Sequence, residues 1–159
     1  MKDIFKNSEF ENFLYGGIKD LEEPVGRLVY NLYKNGIITD WSCSGHIGKF
    51  IQGSEKNAIE GNYAYDCGRL HYKEGNNKSL ILTAKLKEIT LINSFAVVKK
   101  IKDKSVEFIL DMEDIAIHCD VKGYASSQVP IEKAKARYNQ FLEIWGSLAK
   151  WSSSPSFTD

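Results

Sequence analysis

The strongest constraint on this chain is a single stripe near its C-terminus. Ile131, Ala134, Tyr138, Phe141, Leu142, Trp145, Leu148 and Ala149 recur at three- and four-residue spacing, the repeat that gathers side chains on one face of an α-helix. Pro130 stands just ahead of it and suits a helix start. A face this broad and aromatic must lie on a second layer, so the rest of the chain has to present a matching apolar surface.

A second helix is expected over 22–35, where Val25, Leu28, Val29, Leu32 and Tyr33 repeat the spacing. Asp20 and Glu23 have the spacing of a capping box, Pro24 suits a first turn, and Gly36 suits a left-handed C-cap. A shorter helix is expected over about 9–15, and Ser54 can cap another within the polar stretch 53–61.

Elsewhere the pattern becomes alternation. Segments 37–42, 69–73, 96–101, 106–110 and 115–121 read as strands, with Lys102-Asp103-Lys104 closing a hairpin. Gly75-Asn76-Asn77 reads as a turn into a further strand over 79–83. The segment 84–93 fits either state and is taken as a short helix. The expected fold is therefore α+β, with one domain over 1–151. A mostly antiparallel or mixed sheet is flanked by N-terminal helices and the long C-terminal helix. The small polar residues from Ser152 to Ser156 read as the start of a flexible tail, 152–159.

A chain of 159 residues, 43% apolar, can bury a core without staples. Twenty-one basic residues balance twenty-one acidic ones, so no global field favours nucleic acid or an anionic membrane as partner. Lys99, Lys100, Lys102 and Lys104 form a local cluster, read first as a solvated turn and second as an RNA-backbone contact. No apolar run is long enough to span a bilayer. The opening MKDIFKNSEFENF lacks the apolar centre of a secretory leader. With an odd number of cysteines, this sets the expectation of reduced thiols in the cytoplasm.

Each cysteine lies near a histidine: Cys43 and His46, Cys67 and His71, His118 and Cys119. Thiolate and imidazole are the ligands zinc prefers, and Cys43, His46, Cys67 and His71 could form a closed tetrahedral structural site. Against this, no Cys-x-x-Cys knuckle is present. Alternation over 115–121 also puts His118 and Cys119 on opposite faces, leaving Cys119 with Ile115, Ile117 and Val121 as a core residue. No metal or cofactor is assigned on this ground.

Function concentrates in Trp41-Ser42-Cys43-Ser44-Gly45-His46, which follows a strand. As a ligand cradle, this loop offers successive backbone N–H groups, hydroxyls from Ser42 and Ser44, close approach at Gly45, an imidazole donor at His46 and an aromatic face at Trp41. As a nucleophile site, it offers Cys43 beside His46, with Asp40, Asp66 or Asp120 available to orient the base. The bland alternative is an ordinary turn beside a core tryptophan. Arg69 and His71 share one strand face, and His118 and Asp120 another, so each pair can wall a polar pocket or simply face solvent. Trp145 and Trp151 read as core or dimer-interface anchors, the latter implying a homo-oligomer.

Thr39-x-x-Ser42-Cys43-Ser44-Gly45 resembles the Ser-Cys-Ser-Gly signature of the wybutosine-synthesis tRNA methyltransferase family, with His46 where that family carries arginine. The resemblance covers about a dozen positions and implies an S-adenosylmethionine-dependent enzyme acting on tRNA. Ser42, Cys43, Gly45 and His46 also resemble the Ser-Cys-x-Gly-His segment of small phage-type proteins with a C-terminal aromatic amphipathic helix.

The leading expectation is a non-enzymatic protein whose site comprises Trp41, Ser42, Cys43, Ser44, Gly45, His46, Arg69, His71, His118 and Asp120. It would grip a small anionic, nucleotide-like ligand and sequester a signalling nucleotide. A methyltransferase-like enzyme and a zinc-stabilised interaction module are the alternatives.

Overall fold

The computed structural model describes residues 23–47, 61–121 and 124–159. In chain order these form α1 (Glu23–Lys34), β1 (Thr39–Cys43), β2 (His46–Ile47), β3 (Asn62–Asp66), β4 (Gly68–Lys73), α2 (Asn77–Ile92), β5 (Ala96–Lys100) and β6 (Ser105–Leu110). A 3-10 turn (Glu113–Ile115), β7 (Ile117–Val121), β8 (Tyr124–Pro130), α3 (Ile131–Ser152) and α4 (Pro155–Thr158) complete them. The fold is α+β. Among the described residues, no helix is long and apolar enough to cross a membrane. The helix expected over 9–15, Asp20 and the 53–60 stretch with Ser54 lie outside the described residues.

The two amphipathic stripes form the helices expected of them. Val25, Leu28, Val29 and Leu32 of α1 are buried, and so are Ala134, Phe141, Ile144, Trp145, Leu148 and Ala149 of α3. Those two faces pack on each other. Asn31 fixes the contact by donating from Nδ2 to the Ala149 carbonyl and to Ser152 Oγ, each at 3.0 Å. Gly36 ends α1 at φ +81°, the left-handed cap its position implied.

The strand expected over 79–83 is helix instead, and α2 runs unbroken through 84–92. Asn76 decides this. Its side chain accepts from the Ser79 N–H at 2.8 Å, while Ser79 Oγ accepts from the Asn76 N–H at 3.1 Å, a reciprocal cap. Ser79, Leu82, Thr83, Leu86 and Ile89 then point inward at helical spacing.

The strands form two four-stranded antiparallel sheets rather than one. The first has order β1-β4-β6-β5 and the second β2-β3-β8-β7. Leu70, Tyr72, Val106, Phe108 and Leu110 cover the first sheet's inner face and are fully buried. Its hairpin closes through Asp103 and Lys104, both at φ +63°.

The sheets are two halves of one bent ribbon. Cys43 pairs with Arg69 across β1 and β4, and His46 pairs with Asp66 across β2 and β3. Three residues forward on one chain is three back on the other, so the register continues through the break. The bend falls at Ser44-Gly45 opposite Cys67-Gly68. Gly45 is at φ +96°, and a Cβ on Gly68 would stand 3.0 Å from the Ser44 carbonyl oxygen and 3.1 Å from the Trp145 ring. Side chains at this corner would force the strands apart.

Two apolar assignments change. Cys119 is half-buried and Ile117 is 44% exposed, so β7 shows the core no clean apolar face. At the C-terminus, the residues expected to fray instead include the last residue of α3 and the short α4. Ser152 and Phe157 are buried within an otherwise mostly exposed segment, and Phe157 packs on Trp151 with ring centroids 4.6 Å apart at a 40° tilt.

Candidate functional site

A cleft of ≈ 360 Å³ opens on the outer side of the ribbon bend, lined by Trp41, Cys43, His46, Tyr65, Asp66, Cys67 and Arg69. Cross-strand partners share a face, so Trp41 and Cys43 stand with His71 and Arg69, and His46 stands with Asp66. Plain alternation would put the second pair on the opposite face from the first, so it is the bend at Ser44-Gly45 that brings both to one cleft.

At the centre, Cys43 Sγ lies 3.4 Å from His46 Nδ1, and the Gly45 N–H donates to the same sulfur at 3.4 Å. Opposite, the Cys67 thiol donates to Asp111 Oδ1 at 3.5 Å. That carboxylate oxygen is held in place by the N–H groups of Met112 and Glu113, at 2.6 and 2.9 Å. Burial, and after it the nearby Asp111 charge, pushes the Cys67 thiol up to about 11. Cys67 therefore stays a protonated donor at neutral pH. Burial and its bond to Glu113 likewise raise the Tyr65 hydroxyl.

One wall is a cation held on an aromatic ring. The Arg69 guanidinium lies 5.1 Å from the Trp41 ring centroid and donates to Glu107 Oε1 at 2.6 Å. Trp41 is nonetheless 55% exposed, a large flat surface at the cleft mouth. The other wall is a chain of hydrogen bonds. Tyr65 donates to Glu113 Oε2 at 3.0 Å, and Glu113 Oε1 lies 2.9 Å from His118 Nε2. Ser127 Oγ stands 2.7 Å from His118 Nδ1.

The ten expected site residues separate into three groups. Trp41, Cys43, His46 and Arg69 come together in the cleft. Ser42, Ser44 and Gly45 turn away from it. The Ser42 and Ser44 hydroxyls are buried with no hydrogen-bond partner among the described residues, and Gly45 packs beneath Phe141. The Ser44 carbonyl accepts from Trp145 Nε1 at 3.0 Å. Of the loop's main chain, the Ser44 carbonyl is turned inward and the Gly45 N–H is directed to the Cys43 sulfur. His71, His118 and Asp120 lie beside the cleft or beyond it. His71 shares the face of Arg69 but pairs with Asp40. His118 reaches the lining only through Glu113, and Asp120 is an exposed residue of the edge strand β7.

Among the described residues, no three His, Cys, Asp or Glu side chains are gathered so as to hold a metal ion. Cys43, His46 and Cys67 line one cleft, whereas His71 is engaged by Asp40, which separates the fourth donor from the others. Of the residues that could orient His46, Asp66 is its cross-strand partner and Asp40 is committed to His71.

The sequence reading missed Tyr65, Glu107 and Asp111. Glu107 had a visible signal, as the one charge within the strand Val106–Leu110. Tyr65 and Asp111 had none, because the ribbon register brings them to the cleft.

Ser44→Ala removes a buried hydroxyl that has no partner among the described residues, and the expected result is unchanged or slightly raised stability in urea titration, by less than about 1 kcal/mol. A loss of more than about 2 kcal/mol would show that the hydroxyl is bonded.

Compared with known proteins, the chain matches no family model, no curated protein and no solved structure. The functional reading therefore rests on the cleft.

Proposed function

We propose that the cleft holds a small, flat, anionic ligand of nucleotide type, and that the protein binds this ligand without converting it. The observation that carries the reading is Trp41, more than half exposed at the mouth of a concave site and steadied on one side by Arg69. An indole face open at the mouth of a concave site is a surface on which a flat ring can stack. A purine or pyrimidine covers it by stacking. The guanidinium and the His46 imidazole supply donors to a phosphate, and Asp66 supplies an acceptor for the exocyclic amine of a base. At ≈ 360 Å³ the cleft lies within the range of about 300–1,000 Å³ usual for small-molecule sites.

Held this way, a signalling nucleotide would be withdrawn from its receptors, which is the role the phage-type resemblance suggests. Sequestration needs only affinity and stoichiometric protein.

Purified protein is equilibrated with a mixture of nucleotides and cyclic dinucleotides, washed and denatured, and the released compounds are identified by mass spectrometry. The expected result is recovery of one class, chemically unaltered, near one equivalent. Release of a converted product would replace binding with catalysis. Trp41→Ala and His46→Ala are each expected to weaken capture by about 1–3 kcal/mol, the range for a lost stack or charged hydrogen bond. Undiminished capture in both variants would move the ligand elsewhere.

A further inference from the structure

We propose that Cys43 and Cys67 form a thiol–disulfide exchange site whose substrate is a small linear disulfide. Three observations converge on it. Both residues line the one cleft. The continuous register then makes them diagonal neighbours on one face, since Cys43 opposes Arg69 and Cys67, two residues earlier, falls opposite Gly45. On a regular ribbon such Cα atoms stand about 7–8 Å apart, just beyond the roughly 4.4–6.8 Å of a disulfide. The two glycines of the bend lie where the remaining adjustment is needed.

The third observation is that the sulfurs are equipped differently. Cys43 has a base, His46 Nδ1, at 3.4 Å and a donor, the Gly45 N–H, at 3.4 Å. Cys67 is kept as a thiol and has its own acceptor, Asp111 Oδ1, at 3.5 Å. Cys43, with a base and a donor at its sulfur, is therefore placed to attack first, which leaves Cys67 to resolve the mixed disulfide. Cys119 stands apart on β7, its thiol directed to the Ser126 carbonyl at 3.6 Å.

The electrons and protons balance without a further reactant. Cys43 passes its proton to His46 Nδ1 and its sulfur attacks one sulfur of R–S–S–R. The S–S bond breaks, and the departing R–S⁻ takes the proton from His46. The Cys67 sulfur, its thiol oriented by Asp111 Oδ1 at 3.5 Å, then attacks the Cys43 sulfur of the mixed disulfide. The second R–S⁻ leaves and takes the Cys67 proton. The substrate is reduced by two electrons to two R–SH, and the protein is oxidised to a Cys43–Cys67 disulfide. Excess R–SH reverses the sequence. This chemistry shares the cleft and His46 with the nucleotide reading but needs neither Trp41 nor Arg69, so Trp41→Ala should weaken nucleotide capture and leave the exchange intact.

The test is to incubate the fully reduced chain with oxidised glutathione, quench in acid, and follow intact mass and peptide maps. Wild type is expected to lose two hydrogens and yield a linked Cys43–Cys67 peptide pair. Cys67→Ser should stop at one glutathionyl group on Cys43. Cys43→Ser should react about tenfold or more slowly, without an internal disulfide, and Cys119→Ser should behave as wild type. The wild-type map decides the matter even if a variant folds poorly. A stable glutathionyl adduct on wild-type Cys43 with no internal disulfide would overturn the proposal, as would first reaction at Cys67 or Cys119.

Discussion

Trp145→Ala is expected to remove about 3–5 kcal/mol of folding stability, the usual cost of truncating a large buried aromatic. Trp145 is fully buried, meets Phe108 edge-on at 5.7 Å and 89°, and lies against the backbone of Gly68. Its removal opens a cavity on the underside of the ribbon bend. It also strips the Ser44 carbonyl of the indole N–H that satisfies it at 3.0 Å. A domain of this size holds only about 5–15 kcal/mol in all, so the substitution removes a large share of the total. Urea titration of wild type, Trp145→Ala and Trp145→Phe separates the two contributions. The phenylalanine variant keeps most of the packing and loses the donor. Its share should be about 1–3 kcal/mol, the cost of an orphaned buried acceptor. Should the alanine variant stay within about 1 kcal/mol of wild type, well below the large-to-small range, α3 does not brace the bend.

That dependence explains why the fold was more legible in the sequence than the site. Helices α1 and α3 declare themselves because their apolar stripes are local. Helix α2 was half-hidden: Leu80 and Ile81, which made 79–83 resemble a buried strand, are 55% and 43% exposed. The inward positions Ser79 and Thr83 are polar. Their hydroxyls are satisfied locally, Thr83 by the Ser79 carbonyl at 3.0 Å and by Tyr72 at 2.6 Å, so polarity did not mark the exposed face.

The division into two sheets left no local mark. It follows from the bend at Gly45 and Gly68, which only pairing between distant residues, as in Cys43 with Arg69, sets opposite one another. The site inherits that difficulty. Trp41, Cys43 and His46 were found because they are neighbours in sequence, and the same adjacency drew in Ser42, Ser44 and Gly45, which are not among the residues lining the cleft. Between Cys43 and His46 the chain crosses from one sheet to the other, and the residues at the crossing are spent on the bend. Phe157 escaped notice for a related reason: one aromatic among serines gives no periodicity, yet it docks on Trp151.

Gly45→Ala should have an effect nearly as large, by a different route. At φ +96° a residue with a Cβ adopts a conformation that L-amino acids avoid, at a cost of about 1–3 kcal/mol. The new methyl would also stand 3.0 Å from Phe141 Cδ2 and 3.2 Å from the Gly68 nitrogen. The ring can shift more readily than the paired backbone, which adds about 1–3 kcal/mol of overpacking. Together these predict a loss of about 2–6 kcal/mol on urea denaturation. A double-mutant cycle with Phe141→Leu divides the sum, because the smaller side chain relieves the contact and leaves the backbone strain. The substitution should cost less in the leucine background, by about the steric share, and still cost about 1 kcal/mol or more. If Gly45→Ala proves neutral in both backgrounds, the bend is not strained, and the inward turn that commits Ser42 and Ser44 to the interior has another cause. If the loss appears, the displaced backbone also carries the Gly45 N–H away from Cys43 Sγ. The same variant should then lose the selective reactivity of Cys43 over Cys119, tying the strain at the corner to the chemistry beside it.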